Sequence, residues 1–174
     1  MARPGTHLTG QERTFQPDEI IVSKTDLKGI ITYANDVFIR VSGFDEEELL
    51  GKPHNLIRHP DMPRCVFKLL WDTLAAGKEI FAYVVNRAKN GDHYWVFAHV
   101  TPVIGSGGAI CGYHSSRRVP SRAAVDKATG LYAALRAEEA KHPNPKDGMA
   151  AAGAMLESIL RDKGTTYDEF VFTL

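Results

Sequence analysis

The stretch that decides the fold runs from Asn86 to Ile104 and reads "NRAKNGDHYWVFAHVTPVI". Asn90-Gly91 at its centre is the strongest short signal for a β-hairpin, because both residues accept the backbone angles of a tight turn. Strand-like runs lie on both sides, "EIFAYVVNRA" before the turn and "HYWVFAHVTPVI" after it. A third run, "AICGYHSSRRV", follows the glycine-rich "GSGG". The pattern therefore predicts a three-stranded antiparallel meander.

Upstream of the meander, two more strands and several short helices are predicted. "EIIVSKTD" and "GIITYAN" are β-branched runs separated by a turn that ends at Gly29. Gly43 ends a short helix, Asp45 and Glu48 suit a capping box, and Pro63 opens a longer helix. The order predicts an α+β fold, in which a five-stranded antiparallel sheet carries short helices on one side and encloses a ligand pocket.

The composition changes near residue 120, which predicts three parts. Residues 1–17 form an N-terminal arm or cap, residues 18–119 a central domain and residues 120–174 a C-terminal helical extension. "HPNP" divides the extension into two helices, because its prolines bar a continuous one. In "TTYDEFVFTL", Thr165 and Asp168 suit the N-cap and N3 positions of a last helix. These helices either cover the sheet and one another or form a dimer or partner surface.

The totals exclude several classes of protein. Lys+Arg and Asp+Glu both number 21, so the chain lacks the basic excess of a nucleic-acid-binding protein. It has no apolar run long enough for direct membrane insertion. Two cysteines, Cys65 and Cys111, predict no disulfide framework and favour the cytoplasm. The absence of a P-loop, a Rossmann fingerprint, a metal-spaced cluster and a nucleophile elbow predicts that the protein is not an enzyme and has no metal site.

Four pieces of the chain resemble PAS sensory domains: "TDLKGIITYAND", "SGFDEEELLGKPHNLIRHPDMP", "FKLLWDTLAAGK" and "NRAKNGDHYWVFAHVTPV". The resemblance covers roughly residues 18–118 and is strongest to the FAD-binding PAS domain of bacterial aerotaxis receptors. "HNLIRHPDMP" is the most particular piece, because it resembles the flavin-site segment of that branch. The resemblance implies the PAS fold and non-covalent binding of FAD. Our hypothesis is a stand-alone cytoplasmic sensor of redox state or oxygen level.

The resemblance also implies a set of cofactor-binding residues. Arg58, His59 and Asp61 match positions implicated in FAD binding. Arginine offers a planar fork of donors suited to the carbonyl and phosphate oxygens of a flavin dinucleotide. Our working assignment is that Arg58 and His59 contact the dinucleotide while Asp61 orients them. The alternative for Asp61 is to cap the following helix, whose first amides need an acceptor.

Three further residues are candidates for the pocket. Trp71 matches a tryptophan beside the flavin, although core packing is the ordinary role of a tryptophan on the apolar face of a helix. Asn86 offers an acceptor and two donors to a flavin edge, with a strand-end turn as the alternative. Tyr94 and Trp95 must point to opposite faces of the sheet. We assign Tyr94 to the cavity, and an exposed aromatic on the outer face to docking of a helix or a partner.

Other cofactors and roles stay open. Ile80 or Phe81 is expected to fill the place of a tryptophan found in the receptor branch, which makes FMN or haem possible alternatives to FAD. In a haem-binding gas sensor, His59 would be the axial ligand. A light-driven covalent adduct is not expected, because "KPHNLI" has no cysteine and Cys65 comes later. A cofactor-free dimerisation adaptor is the last alternative. The expected partners are a second copy of the chain and an unidentified signalling protein.

Overall fold

A computed structural model describes residues 7–174, and its centre is a five-stranded antiparallel sheet. The strands run in the spatial order β2-β1-β5-β4-β3, so that the first and last strands of the chain pair in the middle. The sheet that the sequence predicted is confirmed. Residues 1–6 of the expected arm lie outside the described residues. The strands are β1 (Ile21–Thr25), β2 (Ile31–Ala34), β3 (Ile80–Arg87), β4 (His93–Ile104) and β5 (Ile110–Arg118).

The Asn90-Gly91 turn joins β3 to β4, as predicted. Gly91 has a φ of 97°, a value that favours glycine, and the Ala88 N–H donates to the Asp92 carbonyl over 2.8 Å. The register pairs Asn86 with Tyr94. The segment before β1 lies along this hairpin, where the Arg13 N–H donates to the His93 carbonyl over 2.7 Å.

Short helices cover one face of the sheet. Gly43 ends α1 with a φ of 71°, and Asp45 and Glu48 form the predicted capping box of α2. Pro63 precedes α3, which has no side-chain cap, so the expectation that Asp61 caps this helix is wrong. The elements are α1 (Asp36–Ser42), α2 (Glu46–Leu49), a 3-10 turn (His54–Ile57) and α3 (Arg64–Ala75).

Three C-terminal helices, α4 (Arg122–Ala140), α5 (Pro145–Asp162) and α6 (Tyr167–Val171), follow the sheet. Helix α4 covers the opposite face, where the ring of Tyr132 lies 6.0 Å from that of Trp95. The Tyr132 hydroxyl also donates to the Tyr83 carbonyl. Helix α5 returns along α4 to α3. The extension therefore covers the sheet and packs on itself, the first of the two roles expected for it.

Helix α6 begins one residue later than expected. Its capping box is Thr166 with Glu169, so the assignment of Thr165 and Asp168 is wrong. Phe170 and Val171 in this helix are buried, and the next residue, Phe172, contacts the ring of Phe81 on the outer face of the sheet at 4.8 Å. Among residues 7–174, no helix has both the length and the apolar character needed to cross a bilayer.

Candidate functional site

A cavity of about 510 Å³ lies between α3 and the face of the sheet that the short helices cover, opposite α4. This volume is in the ordinary range for small-molecule sites, roughly 300–1,000 Å³. Its walls are mainly apolar, with a few polar side chains among them. The residues that the argument uses are Ser23, Thr25, His54, Arg58, Arg64, Phe67, Lys68, Trp71, Asn86, Tyr113, Arg117 and Met149.

Arg117 on β5 is the charged group in the interior of this cavity. Its side chain lies 4.6 Å above the ring of Phe38, and Nη2 donates to the Ser23 hydroxyl. Within residues 7–174, its Nε and Nη1 atoms have no hydrogen-bond partner, although Arg117 is only 2% exposed. Burial lowers the pKa of Arg117 to about 10, so the group remains charged at neutral pH. A buried cation with free N–H donors favours oxygen atoms in the cavity as partners.

Asn86 on β3 adds a second unpaired donor. Its side chain is buried, and Nδ2 has no partner in the described part of the chain. The hydroxyl of Thr25 on β1 is likewise buried and without a partner among those residues. All three unpaired groups line the same cavity. The edge of a flavin ring carries the oxygen and nitrogen acceptors that such donors need, so the residues fit a flavin.

His54 contributes a neutral ring to the cavity. Burial, with the nearby charge of Arg117, lowers the pKa of His54 to about 3. Its Nε2 lies 3.2 Å from the Ser23 hydroxyl oxygen, and its ring lies 6.0 Å from that of Phe38. At physiological pH the imidazole is uncharged, which leaves Arg117 as the positive charge beside these groups.

The mouth of the cavity is formed by α3 and the preceding loop. The Arg58 guanidinium lies 4.6 Å above the ring of Phe67, and its Nη2 donates to the Met62 carbonyl over 3.1 Å. Burial lowers the pKa of Arg58. Trp71 is 39% exposed and meets Tyr113 edge-on at 5.4 Å, so its expected alternative role in the core is wrong. Arg64 and Lys68 place two more cations at this mouth.

The "RHPDMP" loop presents its side chains to two different cavities. Arg58 faces the cavity just described, whereas His59 and Asp61 line a second one, of about 420 Å³, beside α4. There Asp61 pairs with Arg136 at 2.5 Å, and His59 Nδ1 accepts from the Asp61 N–H at 3.1 Å. Burial lowers the pKa of His59. The structure thus separates Arg58 from the two residues expected to bind beside it.

Tyr94 is also absent from the walls of the main cavity. It points from β4 to the same side of the sheet as the cavity-lining Ala98, but it is completely buried, and its hydroxyl has no partner among the described residues. Of the six expected site residues, the structure brings together Arg58, Trp71 and Asn86. It leaves His59, Asp61 and Tyr94 outside this cavity.

The sequence was compared with known proteins. A family model described as the PAS fold matches residues 31–117, which is half of the chain. The chain belongs to the PAS fold family.

This PAS domain is similar to segments of longer proteins. It is 44% identical over 131 residues to the aerotaxis receptor of Escherichia coli (strain K12), a match that covers 75% of this chain and 26% of the receptor. It is 30% identical over 115 residues to the nitrogen fixation regulatory protein of Klebsiella pneumoniae, covering 66% of this chain and 22% of that protein. The chain spans about a quarter of the length of these relatives.

Solved structures agree on the fold. The dark structure of the blue-light photoreceptor Aureochrome1 LOV has a TM-score of 0.56 and 21% sequence identity. The match covers 63% of this chain and 82% of that one. At this identity the similarity shows the PAS architecture alone.

The sequence analysis missed several cavity residues of this PAS domain, among them Thr25, His54, Arg64, Lys68, Arg117 and Met149. Arg117 could have been predicted from the sequence, because alternation along β5 places it on the same face as Tyr113 and Ser115. His54 and Met149 gave no such signal, since one lies in a 3-10 turn and the other comes from the C-terminal extension. The expectation that Ile80 or Phe81 lines the pocket is wrong, and Phe81 packs on the outer face against Phe97 at 5.7 Å.

The thiols lie away from the cavity walls. Cys65 on α3 is buried, which raises its pKa to about 12, and Cys111 on β5 is exposed. Neither cysteine lines the main cavity. In the part of the chain that the structure describes, no group of three or more His, Cys, Asp or Glu side chains could hold a metal ion.

Proposed function

We propose that this PAS domain binds FAD non-covalently and serves as a sensor of redox state or oxygen level. The observation that carries the proposal is Arg117, a buried cation with two N–H-bearing atoms unpaired in the described chain, facing a cavity of about 510 Å³. The similarity to the aerotaxis receptor supports the same choice. When bound, FAD supplies a ring system whose uptake of electrons and protons changes its charge and its hydrogen-bonding needs.

The residues divide into contact and support roles. Arg117 and Asn86 donate to the edge of the ring, and Trp71 packs against it at the mouth. Arg58, with Arg64 and Lys68, provides the cations for the two phosphates of a dinucleotide. His59 and Asp61 act indirectly, by holding the loop that carries Arg58. Tyr94 is buried on the cavity-facing side of the sheet, where it supports the site by packing and does not contact the cofactor.

Three cationic side chains at the mouth favour FAD over FMN, because FAD carries one phosphate more. The haem alternative depended on His59 as the axial ligand, and His59 lies in the second cavity. His54, which does line the main cavity, is engaged with Ser23. A cofactor-free adaptor would give the buried donors of Thr25, Asn86 and Arg117 no ligand to bind, although none of them has a partner among the described residues.

For sensing, a change at the ring must reach the C-terminal helices. Asn86 lies on β3, and the backbone carbonyl of Tyr83 on the same strand accepts a hydrogen bond from the Tyr132 hydroxyl of α4. We propose that reorientation of the Asn86 amide shifts this contact. A coupling of about 1–3 kcal/mol between the two redox states is enough for a switch. The proposed role is binding without catalysis, in the cytoplasm, where both cysteines remain free thiols. A second copy of the chain and a signalling protein are the proposed partners.

Absorbance of the purified protein, followed by acid release and chromatography of the chromophore, tests the proposal. FAD should be released intact. Arg58→Ala should lower the amount of FAD retained, whereas Arg40→Ala is the matched control, since Arg40 is exposed on α1, pairs with Glu19 and does not line the cavity. A colourless protein that takes up no added flavin, or a haem Soret band, would contradict the proposal.

A further inference from the structure

Helix α5 reaches the cavity through one side chain. Met149 lies near the start of α5 and lines the same cavity as Arg58, Phe67 and Trp71. Among the described residues of α4, α5 and α6, it is the only one in the cavity wall. The C-terminal extension therefore supplies part of the site that the PAS sheet and α3 otherwise form.

The position of Met149 is fixed by two close contacts beside it. Gly148 crosses α4 so closely that an added Cβ would lie 2.4 Å from the Glu139 carbonyl oxygen. The Glu139 side chain in turn accepts the Cys65 N–H of α3 over 2.9 Å. The first turn of α3, the end of α4 and the start of α5 thus meet at Glu139, next to the mouth of the cavity.

We propose that Met149 contacts the bound flavin and that α5 therefore contributes one residue to the cofactor site. This inference rests on the proposed function. A thioether is polarizable and its unbranched chain adapts to an irregular gap, so methionine suits the edge of an aromatic ring system. The extension then completes the wall of the site as well as receiving its signal.

One consequence is that occupancy of the cavity controls how firmly α5 is held. A ligand that binds only while Met149 lies in the cavity wall stabilises this position of α5 by mass action. Local opening of the α4–α5 pair would remove Met149 from the wall and let the cofactor leave. The amides of α5 should therefore exchange with solvent more slowly in the FAD-loaded protein than in the FAD-free protein.

The test uses the full chain and FAD itself. Met149→Ala should release FAD about tenfold faster than the unaltered protein, a change that corresponds to about 1.4 kcal/mol. Met155→Ala is the matched control, because Met155 lies on the same helix, packs on the core and does not line the cavity. Met149→Leu, which keeps most of the volume, should restore slow release. Hydrogen exchange of α5 should slow on FAD loading, and less so in Met149→Ala.

Each outcome decides the inference. If the unaltered protein binds FAD but Met149→Ala releases it at the same rate, with no change in α5 exchange on loading, the inference is overturned and the proposed function stands. Equal acceleration by Met149→Ala and Met155→Ala would also overturn it, because the effect would then come from general loosening of α5. If the unaltered protein binds no FAD, both fail.

Discussion

Replacing Arg117 by methionine removes a buried charge while keeping much of the length of the side chain. Methionine can still pack on Phe38, and the Ser23 hydroxyl keeps its neighbour His54 at 3.2 Å. Because the donors of Arg117 serve a ligand in our proposal, the substitution should separate two properties. FAD binding should be lost, while the ligand-free protein should become more stable.

The magnitude follows from three contributions. The pKa of Arg117 falls from 12.5 to about 10, which corresponds to about 3 kcal/mol of cost for holding the charged form in the fold. At neutral pH the folded and unfolded forms are both protonated, so the whole cost applies. Against it stand about 1 kcal/mol for the hydrogen bond to Ser23 and about 1 kcal/mol for the contact with Phe38. The ligand-free variant should gain about 1 kcal/mol.

Thermal unfolding of ligand-free protein measures this gain. For a chain of this size, about 1 kcal/mol raises Tm by roughly 2–4 °C. Adding FAD should raise Tm of the unaltered protein and leave that of Arg117→Met where it is. Arg40→Met is the control, since Arg40 is exposed, pairs with Glu19 and lies outside the cavity, so FAD should stabilise this variant normally.

Two results would refute the reasoning. A ligand-free Arg117→Met protein that is several kcal/mol less stable would show that the buried charge is satisfied within the fold. Normal FAD stabilisation of the same variant would show that the free donors of Arg117 do not serve the ligand. A correctly folded variant with normal circular dichroism is required for the second comparison.

Three further predictions concern other parts of the chain. Because burial holds the pKa of His54 near 3, the unfolded chain takes up a proton below pH 6.5 that the folded chain does not, so lowering the pH from 7 to 5 should cost about 2 kcal/mol through His54. Denaturant titration should show this loss, and His54→Asn should reduce it. Gly148→Ala should destabilise the protein by about 1–3 kcal/mol, because the Glu139 backbone obstructs the new methyl group. Its control Gly153→Ala, with nothing within 4 Å, should stabilise by up to about 1 kcal/mol in the same titration. Removing residues 165–174 exposes the apolar surface on which Phe170 and Val171 are buried, so light scattering should detect a larger species than the unaltered protein forms; an unchanged size with unchanged Tm would contradict that packing.

Local signals made the sheet predictable. Asn90-Gly91 fixes the β3–β4 hairpin through the turn alone, and Gly43 and Gly51 end short helices by adopting positive φ. The predicted start of α6 was wrong by one residue, because "TTYDE" offers two threonines, each with an acidic residue three positions later. Both choices satisfy the same local rule, and the packing of Phe170 and Val171 is a tertiary effect that the rule does not contain.

The site was less predictable, for two physical reasons. The backbone at Arg58 is extended, with φ −66° and ψ 126°, so side chains alternate there, and the sequence does not say which side faces the cavity. Arg117 was overlooked because arginine is almost never fully buried without a partner. Alternation along β5 indicates which face carries Arg117, but the folded structure is needed to show that its Nε and Nη1 have no partner among the described residues.

The alternation along the "RHPDMP" loop changes how a mutational screen of this region should be interpreted. Substituting His59 or Asp61 would release the loop from α4 and displace Arg58, so a colony assay for flavin content would score all three positions alike. A screen for variants that lose the cofactor would therefore identify the residues that hold the loop in place. The residues that contact the cofactor itself would be only some of them.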